Sequence, residues 1–340
     1  MKIPKATSLA DLVNSHQGTD SHPAFSTGNT LPLVTRPHGM TAWIAQTGEG
    51  RWCHDFRAPK IQGFRATRQP SPWIADYGQF LLAPTTGDKP PRSLADTESF
   101  HRRENTIARP HHYRARLDRW GIVAEMTATE RCAHFQFTIE EGENTWLYVK
   151  VAQGTELRLD RETNQILGVS TANQGGVAEN FGSYFVIAPG APVLEAIALK
   201  APVDSPDAPD NGKPLAAALA LRLQKPAGKK LVVAAATSLI SHAQARLNLG
   251  REIGKNTFAQ TLAKSRAAWN RRLACVQIEA TEAQKRLFYS CLHRCFIFPR
   301  PIHEYDAAGK QVHWSPFTGK IHPGPLYTDS GFWDIYRTLL

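Results

Sequence analysis

The stretch Ala133-His134-Phe135-Gln136-Phe137-Thr138-Ile139 alternates apolar and polar side chains residue by residue. This period of two is typical of a half-buried β-strand. Similar runs recur through residue 240, separated by Pro, Gly, Asn and Asp: Gly78–Ala83, Glu125–Thr129, Thr145–Val151, Ser183–Ala188, Val193–Leu199, Ala217–Leu223 and Lys230–Ala236. Many short strands with almost no helical periodicity predict a large antiparallel β-sandwich over residues 1–240.

The hydrophobic period changes after about residue 240. Residues 241–251 and 257–273 have helical composition, and Thr281–Ile297 is the clearest helix. Thr281 and Gln284 form a capping-box pattern at its start. Phe298-Pro299 ends it, and Tyr305–His313 in the following Pro- and Gly-rich loop reads as a hairpin. The sequence therefore predicts a β-rich domain followed by helices.

Another helix begins at residues 329–340. Its apolar side chains are followed by no Gly, Pro or polar tail: Phe332, Trp333, Ile335, Tyr336, Leu339 and Leu340. A natural C-terminus rarely falls inside an apolar helix, because a helix normally carries a stop signal. We therefore expect that a longer protein has been truncated here.

Composition excludes several functional classes. Of 340 residues, 42% are hydrophobic and 21% charged, which is ordinary for a globular protein with a sizeable core. The net charge of +10 comes from scattered basic residues without interleaved aromatics, which argues against a nucleic-acid partner. No run reaches the roughly 18 apolar residues of a membrane span, and the N-terminus lacks a signal-peptide pattern. We expect a soluble, cytoplasmic protein without a membrane partner.

The cysteines and histidines show no metal-binding spacing. No cysteine pair has the Cys-x-x-Cys spacing of a zinc site. Cys291 and Cys295 share one face of the predicted helix, and we expect two buried thiols there. His313 and His322 fall in the long loop, and all histidines are expected to be structural or surface residues.

Four groups of residues, in chain order, resemble one enzyme family. They are Val13-Asn14 with Gly28–Pro32 and Pro37–Met40; Gln62–Trp73 leading into Asp76-Tyr77-Gly78; Phe288-Tyr289-Ser290; and Tyr327-Thr328-Asp329 with Phe332–Arg337. Together they resemble glycoside hydrolase family 92. The sequence departs from the family pattern at His38, where Phe is usual, at Arg68, where His is expected, and at Ile335, where Thr is usual. The change at Arg68 leaves two readings, an altered substrate preference or a surface contact.

The resemblance implies a β-sandwich packed on an (α/α)₆ barrel, with calcium and substrate bound between them. It also implies inverting release of terminal α-linked mannose, and hence a mannose-containing oligosaccharide or N-glycan as partner. Residues 1–240 would be the sandwich, 241–278 linker helices, and 279–340 the start of an incomplete barrel. Inversion needs a general acid and a general base roughly 6.5–9.5 Å apart. Residues 1–340 offer no convincing pair, since Asp76, Glu104, Asp306 and Asp334 suit sugar contact rather than proton transfer. We therefore assign no catalytic residue and expect this fragment alone to be inactive.

Candidate ligand-binding residues come from the same motifs. Trp73, in a Pro-flanked stretch, can stack on a sugar; the alternative is a core or interdomain tryptophan. Asp334 and Arg337 share a helix face beside Trp333 and can bracket vicinal sugar hydroxyls; the alternative is an ordinary ion pair. Asn14 corresponds to the family's Val-Asn position near calcium; the alternative is a plain turn asparagine. We expect Trp73 and the Asp334–Arg337 pair to meet at one cleft.

Two rival functions remain open. One is a non-catalytic carbohydrate-binding sandwich with a helical appendage, which would need no further barrel. The other is a different glycosidase of the same architecture, such as a phosphorylase-like enzyme. The Gly-Asn-Thr and Trp-Asp-x-Tyr-Arg segments match family 92 better than this second rival. Linkage, aglycone and oligomeric state are not determined by the sequence.

Overall fold

A computed structural model of the protein describes residues 8–21, 24, 28–151, 153–201, 216–226 and 228–328. The helices are α1 (Leu9–Leu12), α2 (Leu94–Thr97), α3 (His242–Glu252), α4 (Phe258–Leu273) and α5 (Glu282–Cys295). The strands are β1 (Ala42–Gln46), β2 (Lys60–Ile61), β3 (Gly63–Thr67), β4 (Phe80–Thr86), β5 (Ser99–Phe100), β6 (Ile107–Arg109), β7 (His112–Leu117), β8 (Ile122–Ala128), β9 (Cys132–Ile139), β10 (Thr145–Val151), β11 (Gly154–Asp160), β12 (Gln165–Ser170), β13 (Ser183–Ala188), β14 (Val193–Ala201), β15 (Ala216–Leu223), β16 (Lys230–Ser238), β17 (Glu304–Tyr305), β18 (Gln311–Trp314) and β19 (Ile321–Pro323).

Two large antiparallel sheets form the sandwich. One has six strands in the order β1-β3-β4-β10-β15-β14, and the other has eight in the order β11-β12-β13-β16-β9-β8-β7-β6. Smaller sheets pair β17-β18-β19 and β2-β5. The predicted β-rich class, with antiparallel sheets followed by helices, is confirmed.

The main core lies between the two large sheets. Phe80 of β4 stacks on Phe185 of β13 with ring centroids 3.9 Å apart, and Trp43 of β1 meets Phe135 of β9 edge to face at 5.5 Å. The apolar positions of the alternating stretch in β9 all face this core. Burying such large side chains gives each about 1.5–3 kcal/mol of hydrophobic stabilisation. The apolar positions of the alternating stretch thus correspond to the inner face of the sheet.

The outer face of the eight-stranded sheet is not left to solvent. Helix α3 packs on β13 and β16, and α4 packs on β8 and β9. His134, which points outward from β9, is therefore buried, and its Nδ1 lies 3.0 Å from Thr261 Oγ1 on α4. The period-two pattern could not show this second layer, because a small polar interface resembles a solvated face.

The predicted helix starts are confirmed in atomic detail. Thr281 and Gln284 form the capping box of α5, and Thr257 with Gln260 forms a second one at α4. The Tyr305–His313 hairpin is also present, as β17 and β18. One expectation was wrong: Cys291 and Cys295 are exposed, because α5 buries its opposite face, including Tyr289 and His293. Within the described ranges no helix is long and apolar enough to cross a membrane.

Candidate functional site

Trp73 lies in the loop that joins β3 to β4. Its side chain is 60% exposed, so it is not a core tryptophan among the described residues. Trp52 meets it edge to face with ring centroids 6.3 Å apart, and Ile74 beside it is also exposed. Pro70 and Pro72 restrict the backbone on the approach to the ring. This exposed aromatic surface can stack on the C–H face of a hexose.

The buried carboxylate of Asp76 closes the base of this loop. Its Oδ1 accepts hydrogen bonds from the backbone N–H groups of Arg68 and Tyr77 at 2.8 and 2.9 Å. Its Oδ2 accepts from Arg65 Nη2 at 2.8 Å and from the Thr67 hydroxyl at 2.7 Å. The carboxylate therefore ties both ends of the loop to β3 and neutralises a buried guanidinium. Asp76 is a structural group rather than an available acid or base.

Gly78 fixes the exit of the loop. Its φ of +63° lies in the left-handed region, and a Cβ there would lie 2.3 Å from Ser183 Cβ and 2.6 Å from Arg68 Nη1. The Gly78 N–H also donates to Ala172 O at 2.8 Å. Only glycine satisfies both the backbone angle and the available space. The loop is thus fixed against the β13 end of the opposite sheet.

Two arginines with unused donors are buried beside this base. Arg68 is 2% exposed and Arg300 is 1% exposed. Arg68 Nη1 donates to the carbonyls of Tyr77 and Gly78 at 3.2 and 3.3 Å, and Arg300 Nε donates to Ile297 O at 3.2 Å. Within the described part of the chain, Nε and Nη2 of Arg68 and both Nη atoms of Arg300 have no acceptor. These donors can be satisfied only by a further polar group.

The electrostatics of the two arginines follow from this burial. Burial lowers the pKa of Arg68, and it lowers the pKa of Arg300 to about 10, where the positive charge of Arg68 adds to the effect. Arg68 also lies over the Tyr77 ring, with its Cζ 5.2 Å from the ring centroid. The surface-contact reading of Arg68 is therefore wrong: this departure from the family pattern places a buried cation beneath the Trp73 loop.

The helical part of the chain reaches the same region through Arg300. The Arg300 N–H donates to Thr328 Oγ1 at 2.8 Å, and the Thr328 N–H donates to Arg300 O at 2.9 Å. The described residues end at Thr328. Trp333, Asp334 and Arg337 lie outside them, so their predicted meeting with Trp73 stays a prediction.

Asn14 is exposed and lies in a turn that follows α1. Its N–H donates to Ser290 Oγ on α5 at 2.9 Å, and its Oδ1 accepts from the His16 N–H at 3.1 Å. The part of the chain that the structure describes contains no group of three or more His, Cys, Asp or Glu side chains that could hold a metal ion. Calcium takes roughly six to eight oxygen ligands. These residues therefore do not by themselves fit a calcium site, and the role of Asn14 stays a prediction.

Asn29 has features of a functional residue that the sequence reasoning left unassigned. Its side chain is 3% exposed and its φ of +47° is left-handed. Neither its amide oxygen nor its amide nitrogen has a partner among the described residues. A buried, unpartnered amide on a strained backbone often marks a functional position. The available signal was the Gly28-Asn29 pair, because asparagine is the non-glycine residue that best tolerates this conformation.

Glu304, and the sequence candidates Asp306 and Glu104, have structural partners or lie in exposed segments. Glu304 is buried, which raises its pKa, and it accepts from Ser238 Oγ at 2.9 Å and from the Leu239 N–H at 2.8 Å. Asp306 accepts from the Lys310 N–H at 2.8 Å in the hairpin turn. Glu104 is exposed on a short 3₁₀ helix. None of them is assigned to proton transfer.

Comparison with known proteins adds to this geometry. Residues 12–238 match the glycosyl hydrolase family 92 N-terminal domain, and residues 244–340 match the glycosyl hydrolase family 92 catalytic domain. The chain belongs to glycosyl hydrolase family 92. The resemblance drawn from its motifs is confirmed. No curated protein matches the chain.

Solved family 92 structures share this fold. An inverting mannosidase from Bacteroides thetaiotaomicron VPI-5482 is 34% identical with a TM-score of 0.89, over 98% of this chain and 45% of its own. An α-mannosidase from the same species, in complex with mannoimidazole, is 22% identical with a TM-score of 0.79, over 97% of this chain and 45% of its own. This second likeness shows the fold alone. The chain spans less than half the length of each of these two structures.

Proposed function

We propose that this family 92 chain is the sandwich and first helical part of a glycoside hydrolase that releases terminal α-linked mannose from glycans. The observation that carries the proposal is the match of both family domains, joined to a 34% identical inverting mannosidase that covers 98% of the chain. The exposed Trp73 ring, beside the half-buried Trp52, provides a physical basis for sugar contact. The substrate proposed is a mannose-containing oligosaccharide or N-glycan.

The proposed contribution of this chain is substrate positioning. Trp73 presents a broad apolar face on a loop held at its base by Asp76 and Gly78, so little conformational entropy is lost when a sugar stacks on it. The buried donors of Arg68 and Arg300 that have no acceptor among the described residues are proposed to bind a carboxylate or another oxygen acceptor of the complete site. Asp334, Arg337 and Trp333 are proposed to complete the sugar contacts.

Chemistry by inversion is proposed to depend on residues that the chain does not span. The general acid must protonate the leaving oxygen while the general base activates water on the opposite face of the ring. Asp76 and Glu304 are already engaged by structural donors. Since the chain spans 45% of its inverting relative, there is ample sequence in such a protein for both groups.

Calcium is proposed as the cofactor of the longer protein. The described residues contain no cluster of three or more His, Cys, Asp or Glu side chains, so the carboxylate ligands of the ion are proposed to come mainly from elsewhere, with Asn14 as one contributor from this chain. When bound, calcium would supply positive charge against sugar oxygens. Chelation and calcium re-addition provide the direct test of this assignment.

Binding of methyl α-mannoside to the chain and to single variants tests the positioning role. Trp73→Ala should weaken binding by about tenfold, equivalent to ~1.4 kcal/mol, because the stacking face is lost. Phe317→Ala is the matched control, since Phe317 is an exposed aromatic residue in the loop between β18 and β19 and has no ring contact with Trp52 or Trp73 among the described residues. Equal affinity in wild type and Trp73→Ala would contradict the assignment. If the chain binds glycans and a longer form of the protein does not hydrolyse them, the non-catalytic carbohydrate-binding function would be favoured instead.

A further inference from the structure

The small sheet β17-β18-β19 places two histidines directly opposite each other. His313 on β18 pairs with His322 on β19, between the pairs Val312–Pro323 and Trp314–Ile321. Their rings are nearly parallel, with an interplanar angle of 27° and centroids 5.8 Å apart. Directly opposed side chains on one face of an antiparallel pair are close enough to share a ligand.

Each ring has one nitrogen engaged by an oxygen atom. His313 Nδ1 lies 2.9 Å from Gly324 O, and His322 Nε2 lies 2.8 Å from Thr318 Oγ1. Because a carbonyl can only accept, Nδ1 of His313 carries a proton, so the neutral ring has its lone pair on Nε2. No hydrogen bond within the described part of the chain engages His313 Nε2 or His322 Nδ1. A second nitrogen held by an oxygen is the usual setting of a metal-ligating histidine.

The hairpin that carries these rings is anchored to the sandwich. Trp314 is buried against Phe181, with ring centroids 5.5 Å apart. The Ala178 N–H donates to Pro316 O at 2.8 Å, and Asn180 Nδ2 donates to Gly319 O at 2.8 Å. The strand register is therefore fixed, which holds the two histidine rings opposite each other.

We propose that His313 and His322 form a binding site for a divalent transition-metal ion, with water completing the coordination. Neutral imidazole suits Zn²⁺, Ni²⁺ and Cu²⁺, whereas calcium requires oxygen ligands. No cluster of three metal-ligating side chains occurs within the described ranges. The site therefore has two protein ligands, one on β18 and one on β19, and its metal ion exchanges with solution. Its nitrogen ligands distinguish it from the calcium proposed for the hydrolase, and it does not depend on that function.

Ni²⁺ titration of the folded chain, with its exposed cysteines Cys275, Cys291 and Cys295 alkylated, tests the site by calorimetry. His313→Asn and His322→Asn should each weaken binding of the most tightly bound Ni²⁺ ion by at least about tenfold. Even the loss of a group that only hydrogen-bonds to a metal ligand commonly lowers metal affinity by this factor. The matched control is His242→Asn, because His242 also has a ring nitrogen 3.0 Å from a backbone carbonyl, that of Gly168, but packs on Tyr184. The Ni²⁺ affinity of His242→Asn should equal that of wild type. A tenfold excess of Ca²⁺ should not compete.

A measurement on the unchanged chain guards against misfolded variants. Diethyl pyrocarbonate modifies free imidazole nitrogens, and mass spectrometry locates the adducts. Ni²⁺ should protect His313 and His322 and leave His242 modified as before. Unchanged affinity in both His313 and His322 variants, or modification of these residues that is insensitive to Ni²⁺, would overturn the proposal. Neither result would affect the mannosidase proposal.

Discussion

Replacing Asp76 should destabilise the protein more than its single side chain suggests. In Asp76→Ala, Arg65 remains buried without its carboxylate, which costs about 3–5 kcal/mol when one partner of a buried pair is removed. The backbone N–H groups of Arg68 and Tyr77 also lose their acceptor, at about 1–3 kcal/mol for each group left unsatisfied. These terms are not additive, because water can enter the opened loop. We expect a loss of at least about 4 kcal/mol in the free energy of unfolding.

Asp76→Asn separates the charge from the hydrogen bonds. The amide oxygen can still accept from the two backbone N–H groups, whereas the amide nitrogen faces Arg65 as a second donor. We expect a smaller loss of about 1.5–3 kcal/mol, the contribution of hydrogen bonds to a charged group. Asp20→Asn is the matched control, because Asp20 pairs with Arg57 at 2.7 Å on the exposed surface. It should leave the denaturation midpoint unchanged.

Urea denaturation followed by tryptophan fluorescence and by circular dichroism measures these changes, with stability taken from the midpoint and slope. The double variant Arg65→Met with Asp76→Asn provides a further check, since it removes the unpaired buried cation and should recover part of the loss. The reasoning is refuted if Asp76→Ala costs less than about 1 kcal/mol. The interactions of Asp76 would then contribute no more to stability than an exposed ion pair does.

Three further outcomes follow from the packing and burial. Gly78→Ala should cost about 2 kcal/mol or more by overpacking against Ser183, whereas Gly250→Ala in α3, where a Cβ meets nothing within 4 Å, should stabilise by about 0.5–1 kcal/mol; thermal denaturation compares them. Burial lowers the pKa of His54 to about 4, so only the unfolded state binds a proton at this residue between that pH and about 6.5. The free energy of unfolding should therefore fall as the pH is lowered through this window. His54→Asn should make the free energy of unfolding, measured by urea titration, less dependent on pH. A thiol reagent should label Cys275, Cys291 and Cys295 rapidly in the native protein, but Cys53 and Cys132 only after unfolding; rapid native labelling of either buried thiol, detected by mass spectrometry, would contradict the described core.

The sequence predicted those parts of the fold that depend on short-range pattern. Alternation in β9 and the Thr281–Gln284 capping box each reflect local geometry, and both appear in the structure. The burial of His134 could not be predicted, because it depends on α4 more than a hundred residues later in the chain. The exposed Cys291 and Cys295 show the same limit: helical spacing shows which residues share a face, but not which face is buried.

For the candidate site too, local features could be predicted from the sequence, whereas contacts between distant residues could not. The Pro-flanked setting of Trp73 predicted a fixed aromatic ring, and the structure shows that ring exposed in the loop. The role of Asp76 could not be predicted from the sequence, since its four donors come from the two ends of the loop, at residues 65–68 and at Tyr77, and only the fold brings them to one carboxylate. The donors of Arg68 and Arg300 that lack an acceptor among the described residues could not be predicted either, because they depend on what surrounds each guanidinium.

The central claim, that the chain is part of an inverting mannosidase, is tested most directly by product stereochemistry. Proton NMR of an aryl α-mannoside reaction identifies the first anomer of mannose released by the longer family 92 protein that the proposal implies, with calcium and then with a chelator. The account predicts β-mannose as the first product, loss of turnover on chelation, and no turnover by residues 1–340 alone. Initial release of α-mannose, or robust chelator-insensitive turnover by residues 1–340, would contradict it.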